Sequence, residues 1–191
     1  MKHKVSIKTF NNGVLSLSEF KDARLSTKDV VGIVLQTETI GLILAPPVWK
    51  EPWGDDKICV EVQDEYNFID EAVALSELSG LQLTKNIIEA NKDFHGMFAA
   101  KRCFEYERAG LQWYMPCLYE LSMLAAYKNE INEVLVNLRM PETQLGQEWN
   151  WCSSEYKFNG SWAINFLTGN YGVGGKFCLG TVRAVSFYEK L

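Results

Sequence analysis

The end of the chain constrains its fold most. After Pro141 and Gly146, apolar residues come in short runs at 149–153, 162–166, 171–176 and 182–187, separated by Gly160, by Thr168-Gly169-Asn170 and by Gly180. Runs this short, broken by glycine and asparagine, suit strands joined by tight turns. An earlier strand pair is equally plain. Val30-Val31-Gly32-Ile33-Val34-Leu35 and Ile40-Gly41-Leu42-Ile43-Leu44-Ala45 flank the polar Gln36-Thr37-Glu38-Thr39, and Pro46-Pro47 follows. Both segments are apolar at successive positions, which predicts a central hairpin buried on both faces. A further strand is expected around residues 5–10, with a turn at Asn11-Asn12-Gly13, where Asn-Gly favours positive φ.

Between these β regions the spacing becomes helical. Ile87, Ile88, Phe94, Phe98, Cys103 and Phe104 predict one helix over 84–108 with Thr84 as its N-cap. His95 stands alone beside Phe94 and Phe98 and is read as structural. Pro116 opens a second helix with Leu118, Leu121, Leu124 and Ala125 on one face, and Glu120, three residues after Cys117, suggests a capping box. Asn129 caps a third, short helix through Ile131, Val134, Leu135 and Leu138. An early hairpin, two main helices and a small, mostly antiparallel, loop-rich sheet make an α+β fold. One domain is expected over 1–191, with 1–29 as an N-terminal strand or extension.

The chain's 191 residues carry a net charge of −5, and acidic residues cluster between positions 55 and 77, so there is no basic footprint for nucleic acid. The N-terminal lysines precede no apolar run and no stretch reaches membrane-spanning length, which predicts a soluble chain without a visible signal peptide and without membrane insertion. Five cysteines without a C-x-x-C pair argue against a disulfide framework or a zinc site, so reduced, buried thiols are expected. No cofactor, no metal and no catalytic residue is expected.

Three patterns in order carry a resemblance: Gly110-Leu111-Gln112-Trp113-Tyr114-Met115-Pro116-Cys117-Leu118-Tyr119-Glu120-Leu121, then Trp151-Cys152-Ser153-Ser154-Glu155-Tyr156, then Val182-Arg183-Ala184-Val185. With Trp162-Ala163-Ile164-Asn165-Phe166 and Gly169-Asn170 between the last two, they resemble the Legionella collagen-like protein C-terminal domain family. That family is a branch of the C-type-lectin-like fold, related to formylglycine-generating-enzyme-like domains and to proteins varied by diversity-generating retroelements. The resemblance is strongest over 110–191. Cys117 departs from it, because the family usually has Ser or Thr there, and a thiol is a weaker acceptor.

Trp113, Trp149, Trp151 and Trp162 are expected mostly in the core, and Glu155 is expected to pair with Arg183 beneath the loops. Between those two residues, Gly and Asn offer adaptable backbone while Tyr and Phe offer contact area, as in antibody loops. The resemblance puts this segment, 156–180, on the ligand face of the fold. The expected contact residues are Tyr156, Lys157, Phe158, Asn159, Ser161, Asn170, Tyr171, Val173, Phe177, Cys178 and Leu179, with Lys157, Trp162 and Lys176 as fixed scaffold wherever the segment is diversified.

The function implied is non-catalytic recognition of a protein or glycan ligand on a cell or phage surface, by a retroelement-diversified receptor. One alternative is a structural or assembly module of a phage tail or cell-surface appendage, in which residues 1–29 make a homo-oligomer. A second is a formylglycine-generating-type oxidase, for which Cys152 and Cys178 are the candidate pair. The calcium-binding signatures of sugar-binding C-type lectins are absent, so binding without metal is expected.

Overall fold

In the computed structural model the hairpin of residues 30–45 forms as its sequence predicts, with Ile33 opposite Leu44, Val34 opposite Ile43 and Leu35 opposite Leu42. The structure describes residues 4–11, 13–55, 59–60, 69–77 and 79–189. Asn12 and, within the acidic stretch 55–77, residues 56–58 and 61–68 lie outside them. Gly13 takes φ +72, as the Asn-Gly turn required.

Ten strands are described: β1 (Lys4–Thr9), β2 (Val14–Leu15), β3 (Val30–Gln36), β4 (Gly41–Leu44), β5 (Trp49–Pro52), β6 (Trp149–Lys157), β7 (Gly160–Asn165), β8 (Tyr171–Gly175), β9 (Leu179–Val182) and β10 (Val185–Phe187). The helices are α1 (Leu17–Asp22), α2 (Glu71–Ser76), α3 (Gly80–Ala90), α4 (Ala99–Phe104), α5 (Leu118–Ala126) and α6 (Lys128–Asn137). The strands form two sheets, ordered β10-β4-β3-β1-β2 and β5-β9-β6-β7-β8. Pairing is antiparallel except between β6 and β9, which run parallel at Asn150 and Thr181. The mixture is α+β, with two sheets where one small sheet was expected.

Both faces of the hairpin are buried because each packs on a different core. Ile33, Leu35, Leu42 and Leu44 join Leu118, Leu121 and Leu124 of α5, Ile131 and Leu135 of α6, and Trp162 and Ile164 of β7. Val31, Val34 and Ile43 face the other way, onto Trp53, Ile87, Phe98, Cys103, Trp113 and Trp151. The hairpin is therefore shared by two apolar clusters, and its near-continuous apolar sequence follows from that.

The helix expected over 84–108 is two helices. Ser79, not Thr84, caps α3, accepting from the Gln82 amide at 3.2 Å. Thr84 is buried mid-helix, and its hydroxyl donates to the Met115 carbonyl at 3.0 Å. Asn91 ends the helix: its side chain donates to the Ile87 carbonyl at 2.8 Å and accepts from the Asp55 amide at 3.0 Å. An asparagine that bonds locally competes with helical continuation. Phe94 then folds back edge-on to Phe98, with ring centroids 5.9 Å apart, so the apolar spacing survives the break.

The start of α5 matches its sequence signature. Glu120 accepts from the Cys117 amide at 2.9 Å, while the Cys117 thiol donates to the Glu77 carbonyl at 3.0 Å. The Tyr114 hydroxyl also donates to Glu120, at 2.8 Å. In α6, Tyr127 occupies the cap position and Asn129 lies inside the first turn.

Burial pushes the Glu120 carboxyl up to about 7 from its ordinary 4.5, against the downward pull of the bonds from Cys117, Tyr114 and Gly80. A folded-state pKa raised in this way gives stability that is complete below pH 4.5 and is lost as pH rises through 7. The swing amounts to about 3 kcal/mol across those values. Urea melts between pH 5 and 8 should show the native chain weakening as pH rises and Glu120→Gln nearly flat in that window.

Candidate functional site

On the face of the second sheet that carries Trp149 and Trp151, the two indoles lie over small residues of the neighbouring strands. In β6, Trp149 and Trp151 point to one side and Cys152 to the other, into the core around Trp162. Ala163 opposes Trp151 on β7, and Gly172 opposes Ala163 on β8. Trp149 reaches diagonally to Gly172, where a Cβ would stand 2.7 Å from its ring. Trp151 lies across the sheet: a Cβ on Gly174 of β8 would stand 2.4 Å from one end of its indole, and one on Gly180 of β9 would stand 2.4 Å from Nε1. The glycines are thus the floor on which the two indoles rest.

Above this floor lies an apolar groove of about 200 Å³, lined by nine residues that include Trp149, Trp151, Val173, Cys178 and Leu179. Leu179 is 71% exposed and Trp149 47%, large values for apolar side chains on one face. Of Trp113, Trp149, Trp151 and Trp162, Trp149 is the one that lies outside the core, and it forms a wall of the groove. Trp113, Trp151 and Trp162 are buried, as expected. Gly174→Ala is expected to cost about 1–3 kcal/mol, because the added methyl meets the Trp151 ring and not solvent. A fall in the thermal midpoint together with a changed near-UV dichroism of Trp151 would check it.

The segment between Glu155 and Arg183 is held by two buried cations. Lys176 is fully buried, ion-paired with Glu155, and donates to the Phe158 carbonyl at 3.0 Å. Its ammonium sits 4.8 Å from the centroid of the Trp53 ring. Its backbone also ties the segment, since the Lys176 amide donates to the Asn159 carbonyl and the Trp53 amide to the Lys176 carbonyl. The expected Glu155–Arg183 pair is not formed. Arg183 donates to Asn150 Oδ1 at 3.2 Å and to the carbonyls of Thr143 and Gln144 at 2.8 and 2.6 Å. The parallel bridge of Asn150 with Thr181 sets it near the start of β6, whereas Glu155 lies near the end. Desolvation draws the Arg183 pKa down to about 10, which leaves it charged at neutral pH.

The eleven residues expected to contact a ligand fall into three groups. Asn159, Asn170, Val173, Phe177, Cys178 and Leu179 are exposed. Tyr156, Lys157, Phe158 and Tyr171 are half-buried; Tyr156 stacks edge-on against Trp162 at 5.2 Å, and both tyrosines pack on the core of the opposite face. Ser161 is buried, and its hydroxyl donates to the Ser154 carbonyl at 2.8 Å. Sequence reasoning passed over Trp149, Trp151, Gly172, Gly174 and Gly180. The signal present for them is a period of two, Trp-x-Trp in one strand and Gly-x-Gly in another.

The candidate thiols do not meet. Cys152 is buried and donates to the Trp162 carbonyl at 3.1 Å, and its pKa is pushed well up by desolvation. Cys178 is exposed on the groove side of the same sheet. Among the described residues, no group of three or more His, Cys, Asp or Glu side chains is placed to hold a metal. Among those residues, too, no helix is long and apolar enough to cross a membrane.

No family model matches the sequence, and no curated protein matches it. A solved structure does: a fimbrial protein from Bacteroides ovatus superposes with a TM-score of 0.67 at 14% identity, over 96% of this chain. The two share a fold. The match takes in 48% of the fimbrial protein, so this chain spans about half of its length.

Proposed function

We propose that this chain is a non-catalytic module of a cell-surface appendage and meets its partner through the tryptophan and glycine groove of the second sheet. The groove carries the reading: exposed Leu179 and Trp149 stand over three glycines, leaving an apolar recess where a free-standing protein would place polar side chains. The fold shared with a fimbrial protein supplies the appendage setting. The separation of Cys152 and Cys178 on opposite faces of the sheet favours a non-catalytic role over oxidase chemistry. Shearing appendages from cells that make the protein, followed by immunoblotting, tests the assignment. The chain should enrich in the sheared fraction; recovery in the cytosol alone would sink it.

A second reading is a ligand-recognition domain of the C-type-lectin-like type, varied at its surface. It is favoured by six exposed residues between 159 and 179: Asn159, Phe177, Cys178 and Leu179 lie towards one end of the β7–β8 pair, Val173 in mid-strand and Asn170 at the other end. Under this reading those six are the variable positions, while Ser161 and Lys176 are scaffold. A near-copy of the segment encoding 151–185 beside a reverse transcriptase would support it, and a neighbourhood lacking both would remove the diversification part.

A further inference from the structure

Each of the two sheets has two edges, and three of the four are blunted in ways that discourage pairing with another chain. β2 is two residues long. β10 is bridged by Tyr114, whose amide and carbonyl both bond to Val185. β5 carries Lys50, Glu51 and Pro52. β8, with the sequence Tyr-Gly-Val-Gly-Gly, has no charge and no proline, and among the described residues it pairs with β7 alone.

The hydrogen-bond register shows which groups of β8 are free. The Asn165 amide donates to Asn170 and the Lys176 amide donates to Asn159, each between directly opposed residues of β7, β8 and their turns. Bonded and non-bonded pairs alternate in an antiparallel ladder, so Gly172 and Gly174 bond to β7. Tyr171 and Val173 therefore turn their N–H and C=O groups outward, to the open edge. Gly172 and Gly174 also border the groove, so the free backbone and the apolar recess adjoin each other.

We propose that β8 is a docking edge for an extended segment of a partner polypeptide, which adds as a sixth strand and lays alternate apolar side chains into the groove against Trp149 and Trp151. This rests on the reading that the groove face meets a partner, and it names the partner's form. The size of the site favours a segment over a second folded copy. Nine lining residues and a five-residue strand of roughly 17 Å are well short of the ~20–30 residues a side that a stable globular interface needs. Main-chain bonds from Tyr171 and Val173 supply affinity, and the recess selects for an apolar residue at every second position.

Random dodecapeptides displayed on phage are panned on the full chain, with Val173→Pro as the counter-target, and enriched peptides are then studied by amide exchange. Proline at 173 removes an outward N–H and no bond to β7, so the variant should keep the native melt. Expected are peptides with apolar residues at alternate positions, binding Val173→Pro about tenfold more weakly or worse, and slowing exchange of the Tyr171 and Val173 amides in the native chain. The exchange measurement stands by itself should the proline variant unfold. No enrichment, equal binding to both chains, or binding without protection at 171 and 173 overturns the proposal. So does capture of a glycan on an array or dimerisation in light scattering with β8 exchange unchanged. The chain can still be found in the sheared appendage fraction in each of those cases, which keeps this failure separate from failure of the appendage assignment.

Discussion

Lys176→Met is expected to destabilise the chain by about 3–5 kcal/mol, the range found when one partner of a buried ion pair is removed. For a chain of this length that is a fall in the thermal midpoint on the order of 10 °C. The side chain of Lys176 is fully buried and that of Glu155 is 1% exposed, so water does little to replace the lost cation. The loss is not confined to the pair. Glu155 also accepts from the Val60 amide at 3.1 Å, and Lys176 donates to Phe158 in the turn before β7. The double variant Lys176→Met, Glu155→Gln should recover part of the loss, because the glutamine stays neutral and still accepts from Val60. Thermal melts of the single and double variants check this. A single variant as stable as the native chain would show that the pair does not hold the segment in place.

The second large effect is at Trp151. It is 4% exposed and touches both strands that flank the central pair of its sheet, through Gly180 and Gly174. Trp151→Ala is expected to cost about 3–5 kcal/mol, since it opens a cavity over three strands within the second apolar cluster. Trp151→Phe should cost far less. Among the described residues the Trp151 Nε1–H has no acceptor, so phenylalanine sacrifices area and no hydrogen bond. Trp53 provides the contrast, because its Nε1–H donates to the Cys152 carbonyl at 2.8 Å. Trp53→Phe should therefore be more costly than Trp151→Phe by about 1–3 kcal/mol, the cost of a buried carbonyl left unmet. Urea denaturation of the three variants measures both differences.

What the sequence revealed follows how local each signal is. The hairpin of 30–45 and the strands after 149 were legible because consecutive apolar residues and their flanking turns are neighbours in sequence. The start of α5 was legible for the same reason, since Cys117 and Glu120 are three residues apart. The run from Ile87 to Phe104 misled because its apolar residues keep helical spacing across a break. Only the side chain of Asn91, bonding to Ile87 and Asp55, shows why α3 stops. The Glu155–Arg183 pairing failed on register: both residues are buried, Glu155 in β6 and Arg183 just after β9, yet strand alignment gives Arg183 to Asn150 and leaves Glu155 to Lys176. The groove needed the same knowledge. Trp149 and Trp151 are visibly on one face of a strand, but that Gly172, Gly174 and Gly180 lie beneath them depends on which strands are adjacent.

The segment 156–180, expected from sequence to bind a ligand, is thereby divided. Its aromatic residues Tyr156 and Tyr171 serve the core side of the sheet, and Cys178 and Leu179 serve the groove side together with the two tryptophans. Under the proposed function the contact chemistry would be less polar than the Asn- and Tyr-rich sequence suggested. Apolar contact over a glycine floor suits one defined neighbour better than a wide range of ligands.

The most direct test replaces Leu179 with a photoreactive phenylalanine derivative in cells that make the protein, with the same probe at Val136 as a control on an exposed site of α6. Irradiation should link position 179 to another protein of the sheared appendage, and position 136 should give no such product. Equal labelling from both positions, or none from 179 in assembled appendages, would contradict the assignment of the groove as the contact face.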